Sequence, residues 1–130
     1  MALELSLLVW SVVLLFVHIG SQGVLLTREH GSRYNAGPRD EERAPGMFGG
    51  RAERALRNFL ETWPAFIALA LVCGVTGTSN GLTQTGAALY LGFRLVYLPL
   101  YIFGVTNIRS LAFVGACLGL ALMAAGLLLF

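Results

Sequence analysis

Lysine is absent from this 130-residue chain, and all nine basic side chains are arginine. Cysteine and histidine occur only twice each, and charged residues make up 12% of the sequence. Each shortage excludes something. Cys73 and Cys117 lie in apolar runs without CxxC spacing, so they read as small buried hydrophobes rather than a disulfide or a catalytic thiol. His18 and His30 stand apart, so no metal site is expected. His18 reads as a packed or hydrogen-bonded residue of its segment, with a subunit contact as the alternative. Basic tracts interleaved with aromatics are also missing, so the net charge of +2 points to no nucleic-acid partner.

Apolar sequence is what the chain has in excess. Hydrophobic residues make up 56% and the mean hydropathy is +0.72, too apolar for an ordinary soluble domain, and the length suits a single domain over 1–130. Four segments, about 3–26, 50–75, 82–103 and 108–130, are long enough to cross about 30 Å of hydrocarbon at about 1.5 Å per residue. None alternates as a barrel strand does. Backbone groups in lipid must be satisfied within the segment, which predicts helices. The expected fold is therefore all-α, an integral membrane four-helix bundle. Segment one reads as a span rather than a signal peptide, because Glu4 replaces a basic start, the apolar run is long, and no A-x-A-like site follows.

Arg28, Arg33, Arg39, Arg43, Arg51, Arg54 and Arg57 lie in or beside the connection at about 29–49. The positive-inside rule puts that connection in the cytoplasm and both termini outside. Arg109, in the next connection on that side, falls at the same surface. The run GSRYNAGPRDEERAPGMFGG, from Gly31 to Gly50, reads as a loop, either a lid or a solvated linker, with Gly49 and Gly50 marking the start of helix two. Pro64 is expected to kink that helix. GVTGTSNG reads as a tight turn at the opposite surface, and Gly115 with Gly119 forms a G-x-x-x-G pair suited to close helix packing.

Two polar faces stand out against this apolar background. At 100° per residue, Arg51, Arg54, Arg57, Asn58 and Glu61 fall within about 120° of one helix face, opposite Ala52, Ala55, Leu56, Phe59 and Trp63. Three guanidinium forks, an amide and a carboxylate suit a ligand that carries carboxylates and an amine, because arginine pairs planar anions bidentately. On segment three, Tyr90, Arg94, Tyr97 and Tyr101 share an arc of about 60°. A mid-span arginine needs a partner or a wet cavity, and Glu61 is the expected partner, free to accept from a ligand amine as well. Arg109 and Ser110 offer a cation and a hydroxyl near a helix N-terminus, a combination that can lower a bound thiol's pKa from about 8.5.

The run R-A-E-R-A-L-R-N-F-L-E-T-W-P, the Arg94/Tyr97/Tyr101 stripe and the R-S opening of helix four together resemble the MAPEG family, membrane-associated proteins in eicosanoid and glutathione metabolism. The resemblance covers most of the chain and is most specific from Arg51 to Pro64. It implies a homotrimer with helix two lining the axis, and glutathione as co-substrate in a cleft between neighbouring subunits near the cytoplasmic side. Arg54, Arg57, Asn58 and Glu61 match the family's glutathione-binding run; Arg94, Tyr97 and Tyr101 match its helix-three wall; Arg109 and Ser110 match the thiol-activating region. Gln22 and Arg28 correspond to helix-one contacts. The chain departs from the pattern at Phe59, where some members carry an acid, at a missing residue before Pro64, and at Phe113, where some synthases have tyrosine. These departures bear on eicosanoid specialisation more than on glutathione binding, and such short members resemble bacterial branches.

The sequence thus predicts a multi-pass protein of the bacterial inner membrane, a glutathione-dependent transferase or peroxidase for lipophilic electrophiles or hydroperoxides. Its catalytic residues would be Arg109 and Ser110. Arg28, Arg51, Arg54, Arg57, Asn58, Glu61, Arg94, Tyr97 and Tyr101 would bind glutathione. A non-catalytic lipid- or glutathione-binding scaffold is the alternative from another class. A proton-coupled drug exporter ranks third, because segment one lacks a mid-membrane carboxylate and the polar stripes are net positive.

Overall fold

The computed structural model describes residues 1–31 and 46–130, so Arg33, Arg39, Arg43 and the centre of the first connection lie outside the described residues. The described chain forms four helices: α1 (Leu3–His30), α2 (Met47–Thr76), α3 (Gly81–Ile102) and α4 (Thr106–Leu129). Each is long and apolar enough to cross a membrane, and there is no strand among the described residues. The all-α four-helix membrane bundle is therefore the fold, with successive helices alternating in direction.

Helix boundaries depart from the sequence reading at the first connection. Glu29 and His30 belong to α1, while Met47 to Gly50 are helical rather than loop. The physical cause is a cap supplied from another helix. Gly46 N donates to Glu29 Oε2 at 2.7 Å and Gly49 N to Oε1 at 2.9 Å, satisfying amides that an α-helix start leaves without intrahelical partners. The glycines permit the approach, since a Cβ on Gly49 would lie 2.4 Å from a carboxylate oxygen. Gly49 and Gly50 are thus buried within α2's first turn and do not precede it.

The opposite end of the bundle is tied in a similar way. Gly77 closes α2 in the left-handed conformation at φ 68°, and Thr78 N donates to Cys73 O at 3.0 Å. Asn80 then caps α3, with Thr83 completing a reciprocal capping box. Glu4 is fully buried in the first turn of α1. It accepts hydrogen bonds from Thr83 Oγ1 at 2.7 Å and Ser79 Oγ at 3.0 Å. One carboxylate at each end therefore fastens α1 to its neighbours.

Between these ends the core is apolar and aromatic. Phe66, Ala70, Ala87, Tyr90, Ala116 and Met123 form one cluster, and Leu14, Phe59 and Leu91 a second. The Tyr90 ring stacks on Phe66 at 4.5 Å, and its hydroxyl lies 2.9 Å from Thr62 Oγ1. Trp63 Nε1 donates to Ser11 Oγ at 2.9 Å. The apolar face of α2 is buried at Ala52, Ala55 and Phe59, as the periodicity predicts. Pro64 sits within α2, which continues past it to Thr76.

The G-x-x-x-G pair packs inside the chain. A Cβ on Gly119 would lie 2.5 Å from Gly86 O, and one on Gly115 would strike the Phe93 ring at 2.6 Å. Small residues here let α3 and α4 meet backbone to backbone. Trp10, Phe16, Leu111, Leu118 and Leu128 point outward, as a lipid-facing surface requires.

Replacing Glu29 with alanine uncaps α2 and is expected to destabilise the protein by about 0.5–2 kcal/mol, the range for loss of a helix cap. Thermal unfolding in detergent measures this, and an unchanged melting temperature would remove the cap from the account.

Candidate functional site

The α3 stripe faces inward as the spacing predicts, with Tyr90, Arg94 and Tyr97 buried and Tyr101 half-buried. Arg94 has no exposed surface. Its guanidinium carbon lies 4.3 Å from the centroid of the Tyr97 ring and 5.4 Å from that of Phe59. Such contacts with ring faces favour a desolvated cation. Nη1 donates to Asn58 Oδ1 at 2.8 Å, while Nε and Nη2 have no hydrogen-bond partner. The expected Glu61 ion pair is not formed among the described residues. Asn58 lies one turn earlier and nearer the buried side of α2, whereas Glu61 points outward and is exposed.

Beside this buried arginine, a cavity of about 340 Å³ opens between three helices. Asn58 enters it from α2, Tyr97 and Tyr101 from α3, and Arg109, Ser110, Phe113 and Val114 from α4. The Arg109 guanidinium carbon lies 4.6 Å from the Tyr101 ring centroid. Tyr97 is tilted against Tyr101 at 5.5 Å and against Phe113 at 6.4 Å. Ser110 Oγ donates to Thr106 O at 3.2 Å, so its oxygen keeps lone pairs for another donor. Arg109 and Ser110 both lie near the α4 N-terminus, where the helix dipole adds positive potential. A small molecule with an acidic or anionic group fits this lining.

Five of the proposed site residues, Asn58, Tyr97, Tyr101, Arg109 and Ser110, therefore converge on one cavity, and Arg94 stands directly behind it. The others lie elsewhere. Arg51 Nη1 donates to Ile102 O at 3.1 Å, placing a cation at the C-terminal carbonyls of α3. A Cβ on Gly104, at φ 74°, would lie 2.9 Å from that guanidinium, so the glycine makes room for it. Arg54, Arg57 and Glu61 are exposed on the outer face of α2, and Arg57 lies 3.8 Å from Glu53 in an exposed i,i+4 pair. Arg28 is exposed and Gln22 half-buried on α1.

His18 is a packed residue, stacked on Phe59 at 4.9 Å with its planes 19° apart. Both ring nitrogens are buried without a hydrogen-bond partner. Phe59 thus carries an imidazole and a guanidinium on its ring. Phe113 and Val114 were not among the proposed site residues. They follow Arg109 and Ser110 by four, so helical spacing was the signal that could have found them. Among the described residues no three His, Cys, Asp or Glu side chains could hold a metal ion.

A family model described as the MAPEG family matches residues 6–129, nearly the whole chain. No curated protein matches, and no solved structure matches.

Phe59→Ala removes the ring that both His18 and Arg94 pack against. The expected loss is about 3–5 kcal/mol of stability, as for other buried aromatic truncations, with a milder loss for Phe59→Leu. Detergent-resistant unfolding at the wild-type temperature in both variants would contradict this role.

Proposed function

Because the chain belongs to the MAPEG family, we propose that it is a membrane-bound glutathione-dependent transferase or peroxidase acting on lipophilic electrophiles or hydroperoxides. Family membership itself supports an integral multi-pass membrane protein with a glutathione-related function. The observation that carries the finer reading is the open cavity lined by Asn58, Tyr97, Tyr101, Arg109 and Ser110, a set of hydrogen-bonding groups gathered between three membrane-spanning helices. Its volume, about 340 Å³, falls within the range of small-molecule sites.

Glutathione bound there supplies a thiol that, once ionised, adds to an electrophile or reduces a hydroperoxide. Arg109 and the Ser110 hydroxyl favour the ionised sulfur by charge and hydrogen bonding, helped by the α4 dipole. Tyr97 and Tyr101 form the opposite wall and exclude water with their rings. In the cleft between neighbouring copies that the resemblance implies, the outer face of α2 completes the site: Arg54 and Arg57 hold the carboxylates as bidentate forks, and Glu61 accepts from the amine. Arg28 and Arg51 add positive potential at the same end of the bundle. Lipophilic co-substrates reach the cavity from the bilayer past Phe113 and Val114.

Arg54, Arg57 and Glu61 also support self-association. In α2, about 45 Å long at about 1.5 Å per residue, Glu61 lies near the middle. Exposed charge at that depth is costly in lipid, so a protein surface must cover it. A second and a third copy of this chain provide that cover in the homotrimer implied by the resemblance. Its arginine-rich end lies in the cytoplasm of a bacterial inner membrane by the positive-inside rule.

Calorimetry on detergent-purified protein tests the assignment. Wild type is expected to bind glutathione and show thiolate absorbance in the ultraviolet. Arg57→Ala should weaken binding at least about tenfold, the effect of losing one charged hydrogen bond. Arg109→Ala should retain some binding but lose the thiolate band. Binding without turnover across a panel of electrophiles would favour the scaffold reading, and no wild-type binding would end the glutathione reading.

A further inference from the structure

Arg94 is fully buried, yet it makes a single hydrogen bond, to Asn58 Oδ1 at 2.8 Å. A buried charge held only for packing is poor economy, because an apolar side chain of similar size is often as stable or more so. What an arginine provides and an apolar residue cannot is direction. Arginine has donors and no acceptor, so the Asn58 atom it contacts is the carbonyl oxygen. The rings of Tyr97 and Phe59, 4.3 and 5.4 Å from the guanidinium carbon, hold that donor in place. Asn58 also lines the cavity, which Arg94 does not. With Oδ1 engaged behind the wall, the carboxamide has its NH₂ group left for a ligand.

We propose that Arg94 is a positioning residue that fixes the polarity of the cavity by locking the Asn58 carboxamide with its donors toward the ligand. The lining then contains two groups of invariant polarity, the Asn58 amide and the Arg109 guanidinium, and both donate. The hydroxyls of Tyr97, Tyr101 and Ser110 can turn either way. A ligand group that accepts from both fixed donors, an anion such as a thiolate or sulfonate, is selected over a neutral thioether of similar size. A free carboxamide could rotate to offer its oxygen and would lose that discrimination. This assignment rests on the glutathione reading and specifies which form of the ligand's sulfur end the site prefers.

The test compares two probes that share one tripeptide: glutathione sulfonate, permanently anionic at sulfur, and S-methylglutathione, neutral there. Calorimetric dissociation constants are measured for wild type, Arg94→Gln, Arg94→Lys and Asn58→Asp, with thermal unfolding as a check on the fold. Wild type is expected to prefer the sulfonate. Arg94→Gln, whose amide can turn either its oxygen or its NH₂ toward Asn58, should lower the ratio of sulfonate to S-methylglutathione affinity at least about tenfold, and Arg94→Lys, which has donors only, should restore much of that ratio. Asn58→Asp keeps a partner for Arg94 and so keeps the fold, but turns the ligand-facing donor into an acceptor; its sulfonate preference should vanish. Equal loss of both probes in Arg94→Gln, or an undiminished preference in Arg94→Gln or Asn58→Asp, would overturn the positioning role while leaving glutathione binding intact. Failure of wild type to bind either probe would overturn the glutathione reading and this assignment with it.

Discussion

Burying the Arg94 guanidinium is the constraint around which the middle of this bundle is arranged. A cation withdrawn from water must be compensated locally, and here that comes from two ring faces and one carboxamide oxygen. Those groups sit on α2 and α3, and Phe59 in turn carries His18 from α1. Arg94 and Phe59 together thereby link three helices. The same contacts decide which atoms are left to face the neighbouring cavity, so the packing problem and the chemistry of the site have a common solution.

Elsewhere the bundle relies on polar ties at its ends. Lipid offers little hydrophobic reward for bringing helices together, so close packing and hydrogen bonds take a larger share. Glu29 holds the start of α2, Glu4 holds the α2–α3 turn, and Arg51 holds the end of α3. All three are charged residues whose partners are backbone groups or hydroxyls, with no opposite charge among those bonds. Their effect is geometric, since each fixes a helix end to a neighbouring element at a defined atom.

How much of this was legible in the sequence differs from residue to residue. The number and approximate extent of the helices followed from apolar length alone, and the inward face of α3 from the spacing of Tyr90, Arg94, Tyr97 and Tyr101. Helical periodicity also separated buried Ala52, Ala55 and Phe59 from the charged face of α2. The sequence named Glu61 as the partner of Arg94 on charge complementarity, whereas the structure gives that place to Asn58, which lies nearer the buried side of α2. Nor could it foresee that Arg51 would bond to the end of α3 or that Gly49 would admit a carboxylate from α1. Those contacts join residues far apart in the chain, and no local pattern encodes them. The reading of Arg54, Arg57, Asn58 and Glu61 as a ligand-binding run came from resemblance, and of these four Asn58 lines the cavity with residues of α3 and α4.

Gly86 and Gly119 have a consequence for the order of assembly. They bring α3 and α4 into backbone contact across a connection that runs only from Phe103 to Val105. Closing a short connection sacrifices less chain entropy than closing a long one, and contacts between near neighbours in sequence form fastest. Every residue of the cavity wall except Asn58 belongs to this hairpin. The wall is therefore a nearly self-contained folding unit, made from α3 and α4. The earlier half, with its longer connection between α1 and α2, completes the wall by delivering a single amide.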